Sequence, residues 1–406
     1  MISPQRKLRS DSERVKLSDP LARVKSAFAA HFGHDRCRIA RAPGRVNLIG
    51  EHTDYNDGYV FPVAIDRYVS VAFAARSDDT NSFRGYSLDY DEERVASFDE
   101  LAPRRGPPTW FDYVAGVAWA LLHDGVPLRG LDFVVLGDVP IGAGLSSSAA
   151  IELAMARAFL DVSGVAWDGE QAALAGQRAE NDYIGVNSGI MDQMASALSQ
   201  AGTAMLLDCR DLSFRAVSIP ESLLVVVMDT GTRRALAGSA YNERRASCER
   251  VTKLIGDGGA NVRALRDVTE ADLEASRGRF DATDYRRALH VVHENARTLE
   301  MARALEAEDT ATIKELMARS HASLRDLYEV SSPELDRVVS IASSHPACHG
   351  ARMTGAGFGG CAVALVSSHL GAPHELDEFC DHLRRSYSAG EIYVCHTVGG
   401  AHLIDA

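Results

Sequence analysis

The sequence predicts an α+β protein of two domains with a cleft between them. Length is the first observation, since 406 residues exceed the roughly 100–200 that one domain holds. Texture is the second. Short extended runs and helical stretches intermingle from residue 38 to 229, the chain turns mainly helical from 240 to 345, and strands then return. Continuity is the third, because no internal repeat, low-complexity tract or long linker intervenes. The boundary is expected within 208–220, dividing a first domain of residues 1–215 from a second of 216–406.

The elements follow in order. A polar start leads into LARVKSAFAAHF, whose apolar residues fall at helical spacing. RIARAPGRVNLIG reads as extended, YNDG as a turn, and YVFPVAI and YVSVAFAAR as two strands. WFDYVAGVAWALL is helical. LDFVVLGDVP is a strand that empties into the loop IGAGLSSS, and AAIELAMARAFL continues as a helix of strong formers. GEQAALAGQRAENDYI is expected as one helix and MDQMASAL as another, before the strands AMLLD, FRAVSI and LLVVVMD. YNERRASCERVTKLI, DYRRALHVVHENARTLEMARALEA and TIKELMARSHASLRDLY alternate charged and apolar residues like exposed amphipathic helices. CAVALV and IYVCHTV close the chain as strands with a helix between them.

Composition excludes several classes. A formal net charge of −13 opposes sequence-independent nucleic-acid binding, which runs on phosphate neutralisation. No apolar run approaches the ~20 residues of a membrane span, and the first twenty residues lack the apolar stretch of a secretory leader. Seven scattered cysteines without a Cys-x-x-Cys pair are expected as free thiols in a reducing cytoplasm. The histidine and cysteine groupings at 31–37, 290–293 and 345–349 do not complete a four-ligand zinc set.

Three glycine-rich loops compete for chemistry. GAGFGG at 355–360 has dinucleotide-fingerprint spacing, but CAVALV follows it where a helix is required, so it reads as a tight turn opening a strand or as backbone packed on another loop. GDGG at 256–259 is a surface turn. PIGAGLSSSAA at 140–150 lies between a strand and a helix, where backbone N–H groups and a helix N-terminus converge on an anion. There Gly142 and Gly144 allow close approach, and Ser146 to Ser148 offer hydroxyls to phosphate or magnesium. The same residues also suit a plain serine N-cap.

Two constellations of polar residues stand out. GEHTDYNDG at 50–58 gathers Glu51, His52, Asp54, Asn56 and Asp57, a density of donors and acceptors that suits a polyhydroxylated ligand. An Asx-rich turn accounts for Asn56, Asp57 and Gly58 alone. GIMDQMAS at 189–196 places Asp192 near a helix start, as a general base or as a helix-end carboxylate.

Taken together, GRVNLIGEHTDYNDG, PIGAGLSSSAA, AENDYIG, GIMDQ and MTGAGFGGC resemble the galactokinases, a family within the superfamily of galacto-, homoserine, mevalonate and phosphomevalonate kinases. The resemblance implies an S5-like N-terminal domain and a ferredoxin-like C-terminal domain, with the active site in the cleft. It implies ATP-dependent phosphorylation of α-D-galactose at the C1 hydroxyl, opening the Leloir pathway, with Mg2+. Asp192 would be the catalytic carboxylate and Arg45 its cationic partner. Glu51, His52, Asp54, Gly189 and Tyr241 would bind sugar hydroxyls, Ser147 and Glu180 would bind magnesium, and Trp110 would contact adenine. Gly142, Ala143, Gly144, Leu145, Ser146, Ser147 and Ser148 would form the ATP phosphate loop. A monomeric cytoplasmic enzyme without nucleic-acid or membrane partners is expected. A kinase for N-acetylgalactosamine or arabinose, and a non-catalytic galactose sensor on the same fold, are the other readings. The intact LSSSAA and Asp192 favour the enzyme.

Overall fold

The computed structural model describes residues 19–404 except 79, 105, 234–236, 260 and 368–373. The polar start expected for residues 1–18 lies outside them.

The first half is built on a six-stranded sheet. Its order is His402–Ile404, Arg38–Asn47, Pro62–Ala75, Leu131–Gly137, Ser82–Ser87, Glu92–Ser97. Neighbours are antiparallel except Ser82–Ser87 beside Leu131–Gly137. Alternation along these strands separates two faces. Ile39, Ala72 and Val134 meet Val24 and Phe28 of the first helix, Pro20–Phe32. Ala40, Val71 and Val135 belong to the large core formed with helices Trp110–His123, Ser147–Val162, Gly169–Arg178 and Met191–Leu198. Pro20–Phe32 shows why such a segment is helical. Asp19 caps Leu21 N–H at 3.1 Å, Pro20 occupies the first turn, and Gly33 ends the helix at φ +78°.

The second half carries a four-stranded antiparallel sheet, ordered Cys348–Met353, Cys361–Ser367, Leu223–Asp229, Ile392–Cys395. The long helices Ala237–Gly256, Ala282–Glu306 and Thr310–Asp326 belong to this half, with Pro333–Ser343 and His374–Ser386. A small sheet of Tyr59–Val60, Thr203–Asp208 and Phe214–Ser218 completes the fold. No described helix is long and apolar enough to cross a membrane.

Several expectations change. YVFPVAI splits: Tyr59–Val60 pairs into the small sheet, and the rest from Pro62 joins YVSVAFAAR in one strand, Pro62–Ala75. The strand runs through the polar pair Asp66–Arg67, where Asp66 N–H donates to the His396 carbonyl at 3.1 Å. The helix expected over 169–184 stops at Arg178 and gives way to a π-helical turn, Ala179–Ile184, that ends at Gly185 with φ +87°. The hairpin strand Phe214–Ser218 pairs with Thr203–Asp208 across the expected boundary. The far end of the chain returns to the first sheet, where Ile404 pairs with Ile39.

Candidate active site

Gly44 lets the first strand touch the loop at 141–146, since a Cβ there would stand 2.6 Å from the Leu145 carbonyl. The strand register shifts between Pro43 and Arg45, and Arg45 N–H donates to that carbonyl at 3.1 Å. From this point the buried guanidinium reaches Asp192, with Nε and Nη2 at 2.7 and 2.6 Å from Oδ1. Its Nη1 donates to the Gly144 carbonyl at 2.7 Å. The Ser146 hydroxyl donates to Asp192 Oδ2. Asp192 is the second residue of helix Met191–Leu198. Two cavities of about 490 and 480 Å3 meet here, and Arg45, Asp192 and Ala356 line both.

The first cavity has a backbone floor and apolar walls. Gly142, Gly144 and Ser146 take φ values of +68°, +79° and +62°. Alternate left-handed residues turn successive N–H groups towards one concavity, an arrangement that binds anions, and helix Ser147–Val162 begins where the loop ends. The walls are Val69, Val135, Val139 and Ile151, with Tyr90, Trp110 and Tyr113 at the side. Trp110 is fixed by its Nε1 donating to Glu92 at 2.9 Å. Ser146, Ser147 and Ser148 line the cavity, whereas Ala143 and Leu145 are buried in the core. GAGFGG backs this floor from the second half. A Cβ on Gly355 or Gly360 would lie 2.9 or 2.8 Å from the carbonyl of Gly144 or Ala143, and the loop then opens strand Cys361–Ser367.

The second cavity is lined by polar side chains, among them buried Glu51, His52 and Glu180 and half-buried Asp54 and Tyr241. Burial, and then the charge of Asp192, push Asp54 up to about 7. Gly189 is required beside it, because any Cβ would overlap the Asp54 carboxylate. His52 has φ +64°. Its Nδ1 is hydrogen-bonded to Tyr55 Oη at 2.8 Å, while Nε2 has no hydrogen-bond partner among the described residues. Burial, helped by His290, lowers it to about 3, so the ring is neutral. The Tyr241 ring lies 5.6 Å from it. Glu180 stands on the π-helical turn, and burial raises it.

Magnesium fits Glu180. The hydrogen bonds that favour its ionised form come from Ser188, Ser148 and Gln193, while the carboxylates of Asp192 and Glu152 act against it. A carboxylate in that position is relieved by a hydrated divalent cation, which needs only one or two protein oxygens beside those of phosphate. Among the described residues no three His, Cys, Asp or Glu side chains gather closely enough to hold a metal unaided. Ser147, the other expected ligand, lines the nucleotide-sized cavity and Glu180 the polar one. Sequence reasoning missed Asn47, Thr354 and Arg352, which clamp Glu51. It also missed Tyr90, which has no motif around it.

Three family models match the chain: the galactokinase galactose-binding signature over residues 26–75, the GHMP kinases N-terminal domain over 112–200, and the GHMP kinases C-terminal domain over 301–385. A galactokinase of Chloroflexus aurantiacus is 48% identical over 349 residues, 86% of this chain and 88% of the relative. The chain belongs to the galactokinase family. Another galactokinase, from a Roseiflexus species, is 45% identical over 93% of this chain and 95% of its own. Lactococcus lactis galactokinase, solved in complex with galactose, superposes with a TM-score of 0.88 at 33% identity and covers 95% of this chain and 100% of its own. A mevalonate kinase at 19% identity and TM-score 0.63 shares the fold, covering 89% of this chain and 99% of its own. The galactokinase fold is thus the three-sheet α+β architecture described above.

Proposed function

We propose that the protein transfers the γ-phosphoryl group of ATP to the C1 hydroxyl of α-D-galactose, giving galactose 1-phosphate. The observation that carries this reading is the Arg45–Asp192 pair standing where a glycine-floored cavity meets a polar one. Such a layout suits phosphoryl transfer, which depends on alignment and charge neutralisation more than on covalent participation by the protein.

The residues divide the work. Backbone N–H groups from Gly142 to Ser148 cradle the phosphates, with Ala143 and Leu145 contributing main chain only. Trp110 borders the base. Ser147 and Glu180 hold magnesium, which neutralises phosphate charge when bound. Glu51, His52, Asp54, Gly189 and Tyr241 form the sugar wall, where the free Nε2 of neutral His52 and the carboxylate of Asp54 meet hydroxyls that both donate and accept. Asp192 orients the C1 hydroxyl and receives its proton. Arg45 neutralises charge growing on the transferred oxygens. Seven free cysteines support a cytoplasmic location.

A coupled ATPase assay across hexoses, pentoses and N-acetylhexosamines tests the reading. Galactose is expected to be turned over far better than glucose, because the wrong epimer leaves a buried polar group unpaired at ~1–3 kcal/mol. Equal efficiency on glucose would overturn the sugar assignment, and preference for N-acetylgalactosamine or arabinose would redirect it.

A further inference from the structure

The sugar loop, the glycine loop at 355–360 and the long helices of the second half meet at one side chain outside the proposed chemistry. Arg352, on strand Cys348–Met353, is fully buried. Its Nη1 donates to the Asn47 carbonyl and to Glu51 Oε2, both at 3.0 Å, and its Nε to Ser320 Oγ at 3.1 Å. Its Nη2 lies 3.9 Å from Glu294 Oε1. One guanidinium therefore spans the first strand, the sugar loop and two helices of the other half.

Glu51 depends on it most. Burial pushes this carboxyl up, and Arg352 is the strongest charge acting against that push, with Arg45 a weaker one. Asn47 also donates to Glu51 Oε2. Gly355 N–H and Thr354 Oγ1 donate to Oε1 at 2.5 and 3.2 Å. Gly355 and Ala356 line the sugar cavity, and Ala356 lines the nucleotide cavity as well. So one carboxylate sets its own place in the sugar wall and the place of the peptide at the seam. Glu294 completes the arrangement by accepting from Gly50 N–H at 3.1 Å. Against burial, Arg297, His290 and Arg352 hold Glu294 down to about 2.

We infer that Arg352 is a positioning residue for the sugar side of the transfer reaction, holding Glu51 and, through it, the Gly355–Ala356 peptide in register with Arg45 and Asp192. This rests on the galactose-phosphorylation reading. The geometry requires arginine, because a planar fork can serve Asn47, Glu51 and Ser320 together, whereas lysine offers a single point charge.

The test compares wild type, Arg352→Met and Arg352→Lys in the full-length chain, measuring kcat, the KM for galactose, the KM for ATP and Tm. Arg352→Met is expected to raise the galactose KM roughly 10- to 100-fold, the scale of lost bonds to a charged group. The ATP KM should rise far less, by about twofold, since Ala356 alone links that peptide to the nucleotide cavity while the loop at 142–148 and its apolar walls are untouched. Arg352→Lys should fall between, at roughly 3- to 10-fold in galactose KM, and it carries the test if the methionine variant does not fold. A purely structural arginine would lower Tm and leave the galactose KM of the folded enzyme unchanged, and that result overturns the inference. Equal rises in both KM values overturn it too. Failure of wild type to phosphorylate galactose would instead overturn the proposed function.

Discussion

The two cavities on either side of Arg45–Asp192 are nearly equal in size and opposite in construction. The nucleotide side meets its ligand with main chain, held in left-handed turns at Gly142, Gly144 and Ser146, between apolar walls. The polar side meets its ligand with titratable side chains, two of them moved far from their ordinary ranges by burial. A main-chain site is indifferent to protonation and intolerant of changes in backbone freedom. A side-chain site is the reverse, because its donors and acceptors change with pH and with each replaced atom. Their common seam should be sensitive to both kinds of change.

The largest effect is expected at the seam. Asp192→Asn should retain galactose binding and lose turnover by roughly 10²–10⁴, the scale of lost acid–base work. Near-normal turnover would remove Asp192 from the reaction. Arg45→Ala should lose roughly 10²–10³ in kcat and Arg45→Lys less, since the charge survives without the fork. Wild-type kcat in Arg45→Ala would reduce the arginine to a brace for the loop.

Glycine substitutions sharpen the contrast. Gly189→Ala drives a methyl into Asp54 and should raise the galactose KM about tenfold or more with ATP binding unchanged. Gly142→Ala meets only the flexible end of Arg233 at 3.4 Å, so its cost is the φ of +68°. A few-fold rise in ATP KM is expected from strain of about 1 kcal/mol. Reversal of these two ligand dependences would break the comparison. Ser147→Ala and Glu180→Gln should each raise the magnesium concentration for half-maximal rate roughly 3- to 10-fold, as one oxygen ligand is lost. Titrations that match wild type would leave both as bystanders.

The smallest effect concerns pH and Asp54. Galactose affinity should rise as pH passes about 7 and Asp54 ionises. Asp192→Asn removes the second cause of that raised value and should move the midpoint down. Stability runs the other way. A carboxyl raised in the folded state contributes stability that is present at low pH and lost as pH climbs through about 7. Melting curves from pH 4 to 8 should show wild type losing ground to Asp54→Asn. Parallel curves would mean that Asp54 titrates in its ordinary range.

Much of the site was legible because special backbone geometry leaves a mark in sequence. Gly142 and Gly144 announced a loop that needs positive φ, and the strand before it and helix after it were visible as patterns. Glu51, His52 and Asp54 were conspicuous because they exceed what a turn requires. The pairing of Arg45 with Asp192 bridges 147 positions and no local pattern encodes it. Arg352 was illegible for a different reason. A fully buried arginine in the short strand CHGARM looks like a solvated residue in a loop, since its burial is repaid only by Glu51, Asn47 and Ser320 from elsewhere. The end of the helix at Arg178 was equally hidden, because AENDYI is ordinary helical composition and only the tertiary setting winds it into a π turn.

The pairing of His402–Ile404 with Arg38–Asn47 also orders events in time. During synthesis the strand bearing Arg45 emerges early, yet its outer edge stays bare until residue 404 has been made. Contacts so distant in sequence form slowly, and an exposed edge strand invites pairing with another chain. While the ribosome works through the second half, that edge needs protection, and chaperone demand should fall on this stage of biogenesis. The sheet begun first is thus among the last parts to be closed.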